Sequence, residues 1–254
     1  MKTNTNKLRF TLRLAAIIAV IGLAGGCANN DEQETVINDV TEAYTDAKRA
    51  VERGNYRRGI QVYEAIQARY PFSDLSRQLQ LDLMFAYYKS GQVEQAVEAA
   101  DTFIRENPIH ESVDYALYIK GLAYFEDEAG FLENRFKKDV TERPPKNVME
   151  SYSSFRRLVD RYPASQYAAD AEQRMVFLKN RLAAYENHVA DYYLRRGAYI
   201  AALNRARAAL EEYNGTPANE ESLRIMEQSY EKLGMHDLAA DARRVLELNF
   251  PGEG

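Results

Sequence analysis

The chain has 254 residues, room for one large domain or two modest ones, and its 46% apolar and 28% charged residues are those of a folded body. Thirteen Gly and seven Pro against 18 Tyr and 10 Phe exclude a turn-rich sheet in favour of long helices, and a single cysteine excludes an internal disulfide and a thiolate zinc site. The formal charge of −5 is uneven: residues 1–26 carry Lys2, Lys7, Arg9 and Arg13 and no acid, which leaves 29 bases against 38 acids and excludes nucleic acid, whose binding depends on neutralising phosphates.

Residues 1–13 are polar and basic, residues 14–24 (LAAIIAVIGLA) are apolar, and Gly25-Gly26 precede Cys27. This is the order of a secretory signal over 1–26. The apolar run is too short for a bilayer span, which needs about 20 residues. Small residues before a cysteine resemble the bacterial lipobox, although Leu23-Ala24-Gly25-Gly26-Cys27 has one Gly more than the usual order. The resemblance implies S-diacylglycerol and N-acyl groups on Cys27, and several chains anchor stably where one binds marginally. Ala28 in place of Asp, by resemblance to the lipoprotein sorting rule, implies the outer membrane. Residues 28–38 lack an apolar period, so 27–38 is expected to be a lipidated, flexible tether.

The rest repeats. Gly54 and Gly91 stand 37 residues apart, as do Gly197 and Gly234. Seventeen residues after each Gly stand Pro71, Pro108, Asn214 and Pro251; four before it, Ala50, Tyr87, Tyr193 and Tyr230; five after it, Gly59, Ala96, Ala202 and Ala239. Gly ends a first helix, the small residue lets a second helix approach, Tyr fills the gap, and Pro closes the second helix. The pattern resembles tetratricopeptide repeats. It predicts an all-α superhelical array of about five helix pairs, in which each pair contacts only its neighbours.

A further unit is split. Gly121 and Tyr124 fit a first helix, while Ser151, Phe155, Leu158 and Pro163 fit a second. The insertion between them, 126–147, separates an N-terminal half (39–125) from a C-terminal half (148–254). It reads either as an inert loop or as a docking element. Residues 165–187 predict an additional helix, with Ala171, Met175, Leu178, Leu182 and Tyr185 on one face.

No phosphate loop or zinc helix is present, His110, His188 and His236 lie far apart in the register, and the Ser229–Lys232 spacing falls mid-helix. No active site, metal or cofactor is expected beyond the lipid on Cys27. In such arrays first-helix positions line a concave groove. Here they are Tyr44 and Val51, then Leu81, Phe85 and Tyr88, then Tyr115, Tyr118, Leu122 and Phe125. That stripe suits an extended peptide with an aromatic end; the alternative is that it packs between turns of the superhelix. The corresponding residues of the last two units, among them Asn187, Asp191, Arg195 and Arg224, are polar and suit a folded partner.

From about residue 40 to residue 210 the chain resembles the BamD family of outer-membrane protein assembly factors. The resemblance is carried by Arg69-Tyr70-Pro71-Phe72, Gln80-Leu81-Asp82-Leu83, Ala86-Tyr87-Tyr88-Lys89, Val176-Phe177-Leu178-Lys179, Arg196-Gly197-Ala198-Tyr199 and Asn204-Arg205. It implies a non-catalytic scaffold of the BAM complex, lipid-anchored on the periplasmic face of the outer membrane. The implied partners are the periplasmic POTRA region of BamA, met through Arg196 and Arg205, accessory BAM lipoproteins, and the aromatic C-terminal signals of unfolded barrel precursors. For Arg205 the alternative is a solvated helix face. A competing function is a generic repeat lipoprotein serving cell-wall or pilus assembly.

Overall fold

The computed structural model describes residues 29–128 and 145–251, with side chains over 39–125 and 145–251. The signal at 1–26, Cys27, and positions 129–144 of the insertion lie outside the described residues. Among the described residues the fold is all-α, with ten helices and no strand: α1 (Asn29–Glu52), α2 (Tyr56–Arg69), α3 (Ser76–Lys89), α4 (Val93–Glu106), α5 (Val113–Glu128), α6 (Lys146–Arg161), α7 (Ala168–Arg195), α8 (Tyr199–Glu212), α9 (Asn219–Lys232) and α10 (His236–Asn249). They form the five expected pairs.

The recurring Gly does what its spacing predicts. Gly54, Gly91, Gly197 and Gly234 have φ between 74° and 79°, a left-handed conformation that side chains resist. The N–H after each Gly donates to the carbonyl four residues before it: Asn55 to Ala50 at 2.8 Å, Gln92 to Tyr87 at 3.0 Å, Ala198 to Tyr193 at 3.0 Å and Met235 to Tyr230 at 2.9 Å. This is the Schellman closure, which satisfies carbonyls that a helix end leaves bare. The second helix then packs back through its small residue, and Ala96 and Ala202 are wholly buried. In the split unit Ser151 fills that place, and its hydroxyl donates to the Gly121 carbonyl at 2.8 Å.

The chain divides into two compact units after Ser73, behind the first helix pair. The first holds α1 and α2, packed around Ala47, Ile60, Tyr63 and Ile66. Residues expected as part of a flexible tether are helical from Asn29 onward. Asn29-Asn-Asp-Glu-Gln-Glu34 has no Gly or Pro to stop a helix, and acidic residues favour a helix N-terminus.

The second unit holds α3–α10, each packed on the next. Its main core gathers Met84, Phe103, Leu117, Val148, Phe155, Leu158, Leu178 and Leu182. The helix expected at 165–187 is not a separate element. It continues as α7 through 28 residues, about 42 Å at the usual rise. No Gly or Pro interrupts 168–195, so nothing ends it before Gly197. Leu178 and Leu182, near its middle, join the main core, and Ala190, further on, packs with Ala202 and Ala206 of α8. A buried polar joint ties it to α9: Asn187 donates to the Ala218 carbonyl at 2.7 Å and accepts from the Ser222 hydroxyl at 2.7 Å. At the far end, Arg243 takes the register position of Ala100, Phe155 and Ala206. It bonds Glu227 at 2.7 Å and Glu231 at 2.9 Å, giving the last pair a polar flank.

The tightest approach predicts a stability defect. A Cβ on Gly121 would stand 2.5 Å from Cε1 of the fully buried Phe155. Gly121→Val should therefore lower the unfolding free energy by about 2–3 kcal/mol in urea melts, the effect of overpacking a filled core. Adding Phe155→Leu should restore part of that loss. A single variant within about 0.5 kcal/mol of the parent, as for a surface change, would mean the helices do not meet there.

Candidate peptide groove and partner-docking arginines

The expected groove residues sort by depth within each register position. Ten residues before the turn position (Gly54, Gly91, and Glu128 in the split unit), Leu81 is buried while Tyr44 and Tyr118 are half-buried. Six before it, Leu122 is buried and Phe85 half-buried; three before it, Val51 is buried, with Tyr88 and Phe125 half-buried. The register is the same, so side-chain length decides: short aliphatic chains end within the core, and aromatic rings reach its surface. Val51 and Leu122 are thus core residues and not groove lining, Val51 because it lies directly beneath Gly59. In the first unit Tyr44 leans on Tyr63, with ring centroids 5.8 Å apart.

In the second unit the aromatic series is locked between α5 and α7. Tyr118 stacks on Tyr167 at 4.7 Å, Tyr115 meets the same ring at 5.6 Å, and Phe125 meets the edge of Phe177 at 5.7 Å. Arg174 lies 4.9 Å over Phe125 and donates from Nε to Asp170 at 2.6 Å, while the Tyr118 hydroxyl donates to the same carboxylate oxygen at 2.7 Å. Packing between successive first helices therefore accounts for much of this stripe. What stays open is a hollow of about 480 Å³ walled by Leu81, Tyr115 and Tyr167, with Asp82, Glu111 and Asp114 in its lining. The carboxylates make it more polar than the stripe alone suggested. Asp114 is fixed there by the Ser165 hydroxyl and the Tyr115 N–H, each at 2.6 Å.

The tyrosines titrate abnormally. Burial, then Tyr167 and Asp82, pushes Tyr115 well above the usual phenol range. Burial and the bond to Asp170 push Tyr118 up to about 12, with Arg174 opposing. Burial works against the Asp170 charge, but the bonds from Arg174 and Tyr118 prevail and hold its carboxyl below the ordinary value.

Arg196 caps α7, exposed, with its guanidinium 5.2 Å over the Tyr192 ring. Arg205, on α8, reaches across to Glu186 of α7, with Nη1 3.0 Å from Oε2. This interhelical pair could not be found by helical periodicity, because its partners are 19 residues apart around a turn. Among the described residues no group of His, Cys, Asp and Glu could hold a metal ion, and no helix is long and apolar enough to cross a membrane.

The pKa directions give a pH signature. Tyr115 and Tyr118 are harder to ionise folded than unfolded, so their contribution is full below about pH 10; that of Tyr118 fades as pH rises through about 12, and that of Tyr115 persists to higher pH. Asp170 acts oppositely: its contribution is present above about pH 4 and fades as pH falls through its lowered value. Tyr118→Phe should thus shrink the alkaline loss of stability in melts from about pH 9 to 12 and remove a late step from the tyrosinate absorbance titration. Loss of an ordinary step at about pH 10, with the late step still present, would disprove the Tyr118–Asp170 bond.

The family model for the outer membrane lipoprotein YfiO matches residues 37–246. The chain is 42% identical over 245 residues to the outer membrane protein assembly factor BamD of Neisseria meningitidis serogroup A, covering 96% of this chain and 91% of that one. To BamD of Vibrio cholerae it is 37% identical over 238 residues, covering 93% and 97%, and to BamD of Haemophilus influenzae 31% over 240 residues, covering 94% and 90%. Among solved structures, the MamA protein overlaps with a TM-score of 0.40 at 15% identity, covering 85% of this chain and 98% of that one. With the family model spanning most of the chain and identities above 30% over nearly its full length, the chain belongs to the BamD family of outer membrane lipoproteins.

Proposed function

We propose that this protein is a scaffold of the BAM complex, holding precursors and partner proteins while β-barrels are assembled and inserted into the outer membrane, with no catalysis or cofactor of its own. The observation that carries the reading is the 42% identity to assembly factors across 96% of the chain. Lipid on Cys27 would tether it to the periplasmic face. The half-buried aromatics Phe85, Tyr88 and Tyr115 and the adjoining hollow would take aromatic-ended precursor segments. Tyr118 and Phe125 would act chiefly by holding α5 against α7. Arg196 and Arg205 would meet carboxylates on the POTRA region of BamA, since a guanidinium fork matches a carboxylate in two bonds. Accessory BAM lipoproteins would complete the assembly.

Co-purification from membranes tests the assembly directly: BamA should be recovered, and recovery of peptidoglycan enzymes without BamA would refute the reading. Cys27→Ser should move the protein from the membrane to the soluble fraction, and unaltered fractionation would refute lipid anchoring. In the groove, Phe85→Ala with Tyr115→Ala should weaken binding of a fluorescent peptide ending in Phe by roughly tenfold or more, as for truncated aromatic anchors. Equal anisotropy curves for a variant that melts normally would remove the groove.

A further inference from the structure

We propose that Glu186 is a positioning residue for the docking arginine: it holds one nitrogen of Arg205 and so presents the other edge of the guanidinium to a carboxylate of the docking protein. The inference rests on the reading of Arg205 as a partner contact. The geometry supplies the rest.

Arg205 gives Glu186 only Nη1, at 3.0 Å from Oε2 and 3.4 Å from Oε1. No other hydrogen bond or ion pair of Arg205 occurs among the described residues. A guanidinium has five N–H donors in a planar fork. The Nε and Nη2 edge, spaced to take both oxygens of a second carboxylate, is therefore available. Exposure runs the right way. The Glu186 side chain is 18% exposed and the Arg205 side chain 47%, so the anchoring end is sunk and the receiving end faces out.

Other arginines of the C-terminal pairs differ. Arg243 uses both Nε and Nη2 on Glu227 and Glu231, which leaves no such edge. Arg195 and Arg224 pair one helical turn away on their own helices, with carboxylates more exposed than Glu186. Only part of the value of Glu186 is electrostatic. A free arginine loses rotamer freedom when a partner fixes it, and one already fixed loses less.

A plain structural bridge would behave differently. An exposed pair contributes little to stability, so removing Glu186 should scarcely move the melting curve. It should move a spectroscopic marker instead. Tyr213 is pushed up to about 12 by burial, with Glu212 and Glu186 adding to it. Loss of the Glu186 charge should lower that titration.

The test is the affinity of the full chain for the BamA periplasmic region at fixed ionic strength, for Arg205→Ala, Glu186→Ala and Glu186→Gln. Arg205→Ala should weaken capture most. Glu186→Ala should weaken it roughly three- to tenfold, the scale of freezing one long side chain, with an unchanged melting temperature and an earlier Tyr213 titration. Glu186→Gln keeps an acceptor oxygen and should recover most of the affinity. If Arg205→Ala weakens capture while Glu186→Ala leaves it equal or tightens it, Glu186 competes with the partner or is idle, and the inference falls alone. If Arg205→Ala has no effect, the contact reading falls and takes the inference with it.

Discussion

Everything in this molecule depends on how closely two helices can approach across a left-handed turn. The glycine near φ 75° reverses the chain with its carbonyls satisfied, and a residue with little or no side chain then lets the helices meet. At Gly59 the space is filled by Val51, and in the split unit Gly121, on the first helix, makes room for the ring of Phe155. Within the second unit, pairs made this way are alike enough to pack one on the next.

That constraint explains how much was legible in the amino-acid order. The turn glycines, the small residues and the closing prolines are all local, so the five pairs could be read directly. The length of α7 could not be read from the repeat frame, which places a boundary where the chain has none. The stretch from Ala168 to Arg195 lacks any residue able to stop a helix, and local propensity overrides the repeat. The depth of the groove residues was likewise hidden. Register tells which face a residue occupies, but Val51 and Tyr88 share a register position and differ in exposure through their size.

The candidate site was half legible for a related reason. The apolar character of the first helices is a pattern, whereas the carboxylates Asp82, Glu111 and Asp114 enter one hollow from a helix, a turn and the start of another helix. Tertiary packing alone brings them together. The same holds for Arg205 and Glu186, and for Tyr118 with Asp170, 52 residues away. The resemblance to the BamD family implies a contact role for Arg205, but its intramolecular partner Glu186 is set by tertiary packing.

The unbroken α7 has a mechanical consequence. Tyr167 and Asp170, beside the aromatic hollow, sit at one end of the rod that carries Glu186 and is capped by Arg196 at the other. From Asp170 to Glu186 is about 24 Å at 1.5 Å per residue, with no hinge between them. On the proposed reading, a tilt imposed by a peptide in the hollow would be carried along this rod toward the arginines, coupling client loading to subunit grip as two ends of a single lever.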